Sequence, residues 1–398
     1  VDIDPLIIDI GRRWHPERPY ASPGVRVVTD DARSFFATCT ERFDVICFGL
    51  LDSHTHTAMT NARLDHYVYT LESVLHAKSL LALGGVMILS FEAQKPYIAD
   101  RMARLLETAF GQPPISFIVP PSQYGWGGVV FVAGDMPAVR AQIAGNHRLA
   151  ALVHRSALKL PGTTPMTSDD WPYIYLKAPG IPLLFYLLAG LMVVLLLHTQ
   201  RRLAQGRLIS SWGQGRWHFF FLGAAFLLLE VQNVSKATVV LGSTWSVNAV
   251  IISGVLIMIL LANAVAAWLP RLPLGPVYFA LGASCLGLYL LDISRFAFLP
   301  YAVKATLVGT LTTLPMLFSG IVFIRSLAAV ESKGDALGAN LIGSLVGALL
   351  QTVTFVTGIR FLLLVVAALY GLAFLSRPRA GRSSPPEVAP LAVERVRG

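Results

Sequence analysis

Acidic residues recur after short apolar runs near the start of the chain: Asp2 and Asp4, then Asp30 and Asp31, then Asp52. If those runs are strands of one parallel sheet, the carboxylates project together beyond the strand ends, where doubly wound domains hold their ligands. A carboxylate in that place accepts hydrogen bonds from a ribose diol or from the exocyclic amine of adenine. The chemistry on offer is recognition of a nucleoside. A plainer reading of Asp30 or Asp31 is a short acidic side chain capping a helix that starts at Ala32, and both readings can hold.

A second constellation is His54-x-His56 in the stretch GLLDSHTHT, residues 49–57. It has the form of half a metal site. A barrel-type metal hydrolase would need further ligands at later strand ends, but the other histidines fall mostly in predicted helices or loops, with no second ligand pair at strand ends. No metal is expected, and His54 and His56 are read as polar loop residues that line a cleft or simply face solvent. Cys39, Cys47 and Cys285 are scattered and odd in number, which suggests neither a disulfide framework nor a zinc site.

The elements that must position these residues alternate. VDID (1–4) reads as the end of a strand and PLIIDIGRRW (5–14) as a helix with Pro at its first position. VRVVT (25–29) reads as a strand, ARSFFATC (32–39) as a helix and FDVICFG (43–49) as an apolar strand. A helix near 67–82, the strand GGVMILSF (84–91), a helix near 96–110 and the strands ISFIV (115–119) and GVVFVAG (128–134) follow. Strands regularly separated by helices predict an α/β domain with a mostly parallel sheet.

The second half has a different solvent. Of the whole chain 54% is hydrophobic and only 14% charged, against about 25% charged in ordinary soluble domains, and the mean hydropathy is +0.60. Residues 1–180 hold 16 Lys/Arg against 17 Asp/Glu, residues 181–376 hold 11 against 4, and residues 377–398 hold 5 against 2. The basic excess therefore belongs to loops and a tail, where Lys and Arg set membrane orientation. No basic soluble face of the kind that binds nucleic acid is present. Seven apolar stretches, near 181–199, 218–241, 246–269, 275–298, 302–324, 336–357 and 360–376, approach the length needed to cross a bilayer. Glu230, Gln232, Asn233 and Lys236 interrupt the second, and Asp292 and Arg295 share a face near the end of the fourth. Such residues line a path or hold helices together, and the second reading is preferred. Gly343 and Gly347 form a small-xxx-small packing pattern. The Pro/Ser/Arg-rich tail reads as disordered.

With those blocks in view, VDIDPLIIDIGRRWHPE, VRVVTDDARSFF, FDVICFGLLDS and VYTLESVLHAKSLLALGGVMILS resemble, in order and spacing over roughly residues 1–134, the spermidine synthase family. TSDDWPYIYL (167–176) and the helices bearing FLLLEVQNVSKATVVLGSTWSVNAV and LGANLIGSLVGALL resemble its membrane-embedded bacterial members. The resemblance implies an α/β Rossmann-like S-adenosylmethionine-methyltransferase fold, N-terminally incomplete because a first strand and Gly-rich loop would precede Val1, followed by an all-α multi-span transmembrane bundle.

By residue, the resemblance places Asp2 on the ribose hydroxyls with Ile3 beside the adenine. It places Asp30 on the adenine amine, with Asp31 and Ala32 completing that turn. The family's paired active-site aspartates fall at Gly49 and Asp52, so Asp52 alone is left as the catalytic base. The implied donor is S-adenosylmethionine or its decarboxylated form and the acceptor an amine such as a polyamine, with no metal. The opposing expectation, favoured by Gly49, is an inactive synthase-like domain serving a transporter or sensor.

The expected organisation is a nucleoside-binding domain at 1–135, a connector at 136–180, about seven helices at 181–376 and the tail at 377–398. The bundle is expected in a bacterial plasma membrane, its partner the lipid bilayer. A nucleoside donor argues that residues 1–180 face the cytosol. The arginines of 200–217 and the tail argue the reverse, and the cytosolic placement is preferred because the strand-end acidic residues have no evident purpose without a nucleoside.

Overall fold

The computed structural model describes residues 1–49, 67–93, 95–123, 127–203, 212–242 and 244–378. Helix α1 (Pro5–Trp14) begins where the Asp4 carboxylate accepts the Leu6 N–H at 2.8 Å and Pro5 supplies a preset φ. Helix α2 (Ala32–Thr38) begins under an Asp31 cap. The segments 1–4 and 25–29, expected as strands, meet only through a single parallel bridge between Asp2 and Thr29. No third strand supports either segment among the described residues, and two short segments alone do not sustain a ladder.

Strands β1 (Phe43–Phe48), β2 (Leu81–Phe91), β3 (Ile115–Val119) and β4 (Gly128–Gly134) form one sheet in the order β1-β2-β4-β3. β1 and β2 are parallel, with α3 (Leu71–Ser79) in the connection between them. β4 is antiparallel to both β2 and β3, so the sheet is mixed rather than mostly parallel. For the β3–β4 pair the reason lies in the 120–127 connection, which is shorter than the dozen or so residues that a parallel crossover requires. The backbone at both ends of β4 admits only glycine. A Cβ on Gly128 (φ 152°) would sit 2.8 Å from the Phe91 carbonyl oxygen, and one on Gly134 (φ 148°) 2.5 Å from that of Gly85. Helix α4 (Pro96–Phe110) covers this sheet, and Met87, Leu89, Phe91 and Phe131 pack with Val74, Met102 and Leu105 in the core. Helices α5 (Met136–Gly145) and α6 (His147–Arg155) follow.

The remainder is helical: α7 (Leu183–Leu203), α8 (Gln214–Leu241), α9 (Trp245–Trp268), α10 (Leu274–Leu290), α11 (Tyr301–Ala328), α12 (Lys333–Leu350), α13 (Thr354–Thr357) and α14 (Phe361–Leu375). Among the described residues, four helical segments are long and apolar enough to cross a membrane: α8, α9, α11 and the run Lys333–Thr357. The other expected spans correspond to shorter apolar helices, Leu183–Thr199, Leu274–Leu290 and Phe361–Leu375. These lengths are compatible with a membrane protein. α8 is central and packs against α9, α11, α12 and α14. Gly343 and Gly347 let α12 lie directly on α8. A Cβ on Gly347 would fall 2.6 Å from the Ala224 carbonyl oxygen, and one on Gly343 would overlap that of Phe220.

The fourth expected span stops early. Asp292 accepts the Ser294 N–H at 3.1 Å and the Ser294 hydroxyl at 2.7 Å, capping a 3₁₀ turn over Ile293–Phe296. Asp292 and Arg295 therefore share no α-helical face and form no ion pair.

Candidate functional site

Two places gather polar side chains. The first is the edge formed by residues 2–4 and 28–32. The Asp2 N–H donates to the Val28 carbonyl at 3.1 Å and the Asp30 N–H to the Asp2 carbonyl at 3.0 Å, which pairs Asp2 with Thr29 and sets the backbones of residues 2 and 30 next to each other. Asp2 accepts the Asp4 N–H at 2.9 Å, and Asp30 accepts the Asp31 N–H at 2.8 Å. Burial raises the Asp30 carboxyl above its ordinary range, with the Asp31 N–H and the Lys304 ammonium opposing that shift. Asp31 is buried and caps α2 through the N–H groups of Arg33 (2.8 Å) and Ser34 (3.3 Å). Ala32 is the first residue of α2, and Ile3 is exposed.

The bundle reaches this edge. Gly242, at the end of α8, lies so close to Asp31 that an added Cβ would be 2.7 Å from the Asp31 Cβ. Lys304 of α11 donates to the Ser34 hydroxyl at 3.3 Å. Asp52, His54 and His56 lie outside the described residues, and Gly49 follows the last residue of β1. Among the described residues no cluster of three or more His, Cys, Asp or Glu side chains could hold a metal ion.

The second place is the seam between the α/β domain and the bundle, and it is built on the strap at 162–177. Asp100, fully buried in α4, accepts the N–H groups of Gly162 (2.6 Å), Thr163 (3.1 Å) and Thr164 (2.8 Å). Burial alone would raise this carboxyl; the Thr164 hydroxyl and the three amides outweigh it and hold Asp100 below its ordinary value. The next residue, Arg101, threads its guanidinium among strap carbonyls, donating to Pro165 (2.6 Å), Tyr173 (3.4 Å), Ile174, Leu176 (2.6 Å) and Lys177 (3.2 Å). It also lies over the Trp171 ring, 5.3 Å from the centroid.

Two adjacent aspartates of the strap divide the work. Asp169 turns to the α/β domain, where its carboxylate pairs with Arg33 Nη2 at 2.5 Å and accepts the Thr70 hydroxyl at 2.8 Å. Its N–H donates to Glu72 at 3.0 Å. Asp170 turns to the bundle, accepting the Arg360 N–H at 2.7 Å through its carboxylate and the Ile359 N–H at 2.8 Å through its carbonyl. Trp171 Nε1–H then donates to the Phe355 carbonyl at 2.9 Å, and the Tyr173 hydroxyl to Thr354 Oγ1 at 2.7 Å.

Between these anchors lies a cleft of about 130 Å³ lined by Glu72, Asp169, Asp170, Lys236, Asp292 and Arg360, with Ser235, Ser294 and Val239 among its walls. Burial, and then the neighbouring Asp169 charge, push the Glu72 carboxyl upward. Lys236 donates to the carbonyls of Leu288 and, at 3.5 Å, Leu291. Within α8, Gln232 is fully buried with both amide atoms unpartnered, and the Asn233 amide nitrogen is likewise unpartnered. The preferred expectation of interhelical hydrogen bonds is therefore not met at Gln232.

The sequence reading assigns no role to Arg33, Thr70, Glu72, Arg101 or Arg360. The available signal was the Asp169-Asp170 pair beside the aromatic run of TSDDWPYIYL. In class, the structure is a mixed-sheet α/β domain pinned by a charged strap to a bundle with membrane-length helices. No family model and no curated protein matches the chain.

Proposed function

We propose that this is a membrane-integral, spermidine synthase-like protein whose α/β domain binds a nucleoside of the S-adenosylmethionine class. The observation that carries the reading is the parallel bridge between Asp2 and Thr29 together with the bond from the Asp30 N–H to the Asp2 carbonyl, which brings the backbones of residues 2 and 30 to one edge. The arrangement fits the ligand: Asp2 is suited to the ribose diol with Ile3 beside the base, and Asp30 to the adenine amine in the turn made by Asp31 and Ala32. Asp31 contributes through the N-terminus of α2, since its own carboxylate is spent on the cap.

The reaction such a site serves is transfer of an aminopropyl or related group to an amine. The amine nitrogen attacks the carbon beside the sulfonium, the carbon–sulfur bond breaks, and its electron pair leaves with a neutral thioether. Asp52 is the group assigned to take the amine proton.

The test is calorimetry on the full-length membrane protein with S-adenosylmethionine, its decarboxylated form and methylthioadenosine. Asp30→Ala should weaken the binding nucleoside by about 1–3 kcal/mol. Unchanged affinity removes Asp30 from the site, and no binding of any of the three ends the nucleoside reading.

A second reading, a membrane transporter or sensor that retains at most ligand binding, is favoured by a separate observation: the unpartnered Gln232 amide and Asn233 amide nitrogen inside α8, the helix that lines the charged seam. Formation of methylthioadenosine from decarboxylated S-adenosylmethionine and a diamine separates the two. Turnover abolished by Asp52→Asn supports the transferase, and no turnover with any amine supports the transporter or sensor.

A further inference from the structure

The seam cleft shares no lining residue with the Asp2–Asp30 edge, and its chemistry is of another kind. Charges of both signs face it without pairing across it. The Arg360 side chain is exposed and its guanidinium donates to no described residue. Lys236 spends its ammonium on two carbonyls and, among the described residues, has no carboxylate within ion-pair distance. Asp292 and Asp170 each commit one oxygen to a neighbouring N–H, and Glu72 gives one to the Asp169 amide. Among the described residues, Asp169 is the one cleft carboxylate matched by a cation, Arg33.

Opposite charges left apart in a partly enclosed cleft are costly, because water no longer screens or solvates them fully. A lone cation placed there would meet Arg360 and Lys236. A lone anion would meet Glu72, Asp170 and Asp292. A molecule bearing an ammonium at one end and a carboxylate at the other satisfies both sets. The guanidinium fork of Arg360 matches a carboxylate bidentately, and the free oxygen of Asp292 accepts from an ammonium.

The third element is Gln232. Residues 232, 235, 236 and 239 lie on one face of α8 by helical spacing, and the last three line the cleft. Gln232 thus continues the same stripe one turn deeper, with a donor and an acceptor both uncommitted at full burial. Buried amides are almost always bonded; Gln232 is not itself a lining residue, but it keeps both amide atoms uncommitted one helical turn from those that are. The size agrees as well, since a cavity of about 150 Å³ accepts a molecule as large as benzene.

We propose that the seam between the strap, α8 and the 291–294 turn is a binding site for a small zwitterion of amino-acid size, its carboxylate held by Arg360 and its ammonium by Asp292 and Glu72. The site does not depend on the nucleoside reading.

The experiment is equilibrium binding to the full chain in detergent micelles, using 5-aminovalerate as probe. Cadaverine and glutarate serve as the amine-only and carboxylate-only analogues of the same length. The zwitterion should bind at least about tenfold more tightly than either analogue, and Arg360→Gln and Asp292→Asn should each weaken it by about tenfold. Both variants keep the fold's own bonds, because Asp170 uses the Arg360 main chain and Asn accepts from Ser294 as Asp does. Asp30→Ala should leave this binding unchanged, which separates the seam from the nucleoside edge. Cadaverine binding as tightly as the zwitterion, affinity unmoved by Arg360→Gln, or no saturable binding of 5-aminovalerate would each overturn the proposal.

Discussion

Asp169→Ala is the most informative single change in the strap. The Arg33 side chain is 3% exposed and that of Asp169 9%, so the 2.5 Å pair is shielded from solvent. Removing one member of a buried pair leaves the other charge buried and costs about 3–5 kcal/mol. The Thr70 hydroxyl, which donates to the same carboxylate at 2.8 Å, loses that acceptor as well, adding about 1 kcal/mol. Replacing both charges together, as Arg33→Met with Asp169→Leu, removes the uncompensated ion and should recover most of the loss. Hydrogen exchange over residues 67–79 and 162–176 reads the local opening directly. The combined loss of about 4–6 kcal/mol corresponds to roughly 10³- to 10⁴-fold faster exchange in Asp169→Ala, with the double variant much nearer the unmodified protein. Exchange within about tenfold of the unmodified protein, or a double variant as labile as the two single changes combined, would refute the reasoning.

Two further outcomes are expected. The folded-state pKa of Asp30 is raised by burial, so its contribution to stability is present at low pH and lost as pH rises through that value. Asp30→Asn, which keeps an acceptor for the Asp31 N–H, should raise the melting temperature near pH 7 and lose that advantage near pH 4, and an effect equal at both pH values would contradict the assignment. For orientation, single cysteines at Ser210 and Ser384 in a cysteine-free background, probed on intact cells with a membrane-impermeant thiol reagent, should label at Ser210 if residues 1–180 are cytosolic. Protection at both sites until lysis would place that domain outside and remove the cytosolic donor from consideration.

Where a local signal carries the information, sequence and structure agree to the residue. Pro5 and Pro96 mark the starts of α1 and α4, and the apolar runs 115–119 and 128–134 are β3 and β4 as expected. The direction of β4 was not legible in the same way, since it depends on how the chain closes between 119 and 128 rather than on any strand's composition. The fourth apolar stretch looked continuous through 298 because hydropathy does not register that Asp292 can cap a new turn. The seam was legible only in part. The Asp169-Asp170 pair stood out in the sequence, but its partners Arg33 and Arg360 lie 136 and 190 residues away, and no local pattern points to them. For the nucleoside edge, the neighbourhood of Asp2 and Asp30 follows from one bridge, while Asp52 lies outside the described residues.

Asp169 and Asp170 are consecutive, so the grips on the two bodies are separated by a single peptide unit of about 3.8 Å. A tether that short has no slack. Any tilt of α14 that carries Arg360 away from the sheet must either pull Asp170 from the 358–360 turn or drag Asp169 against Arg33 and Thr70. The α/β domain is therefore geared to the bundle rather than hung from it. A helix movement of even an ångström would arrive at Arg33, and through α2 at the Asp31 cap beside Asp30, without passing through a flexible joint.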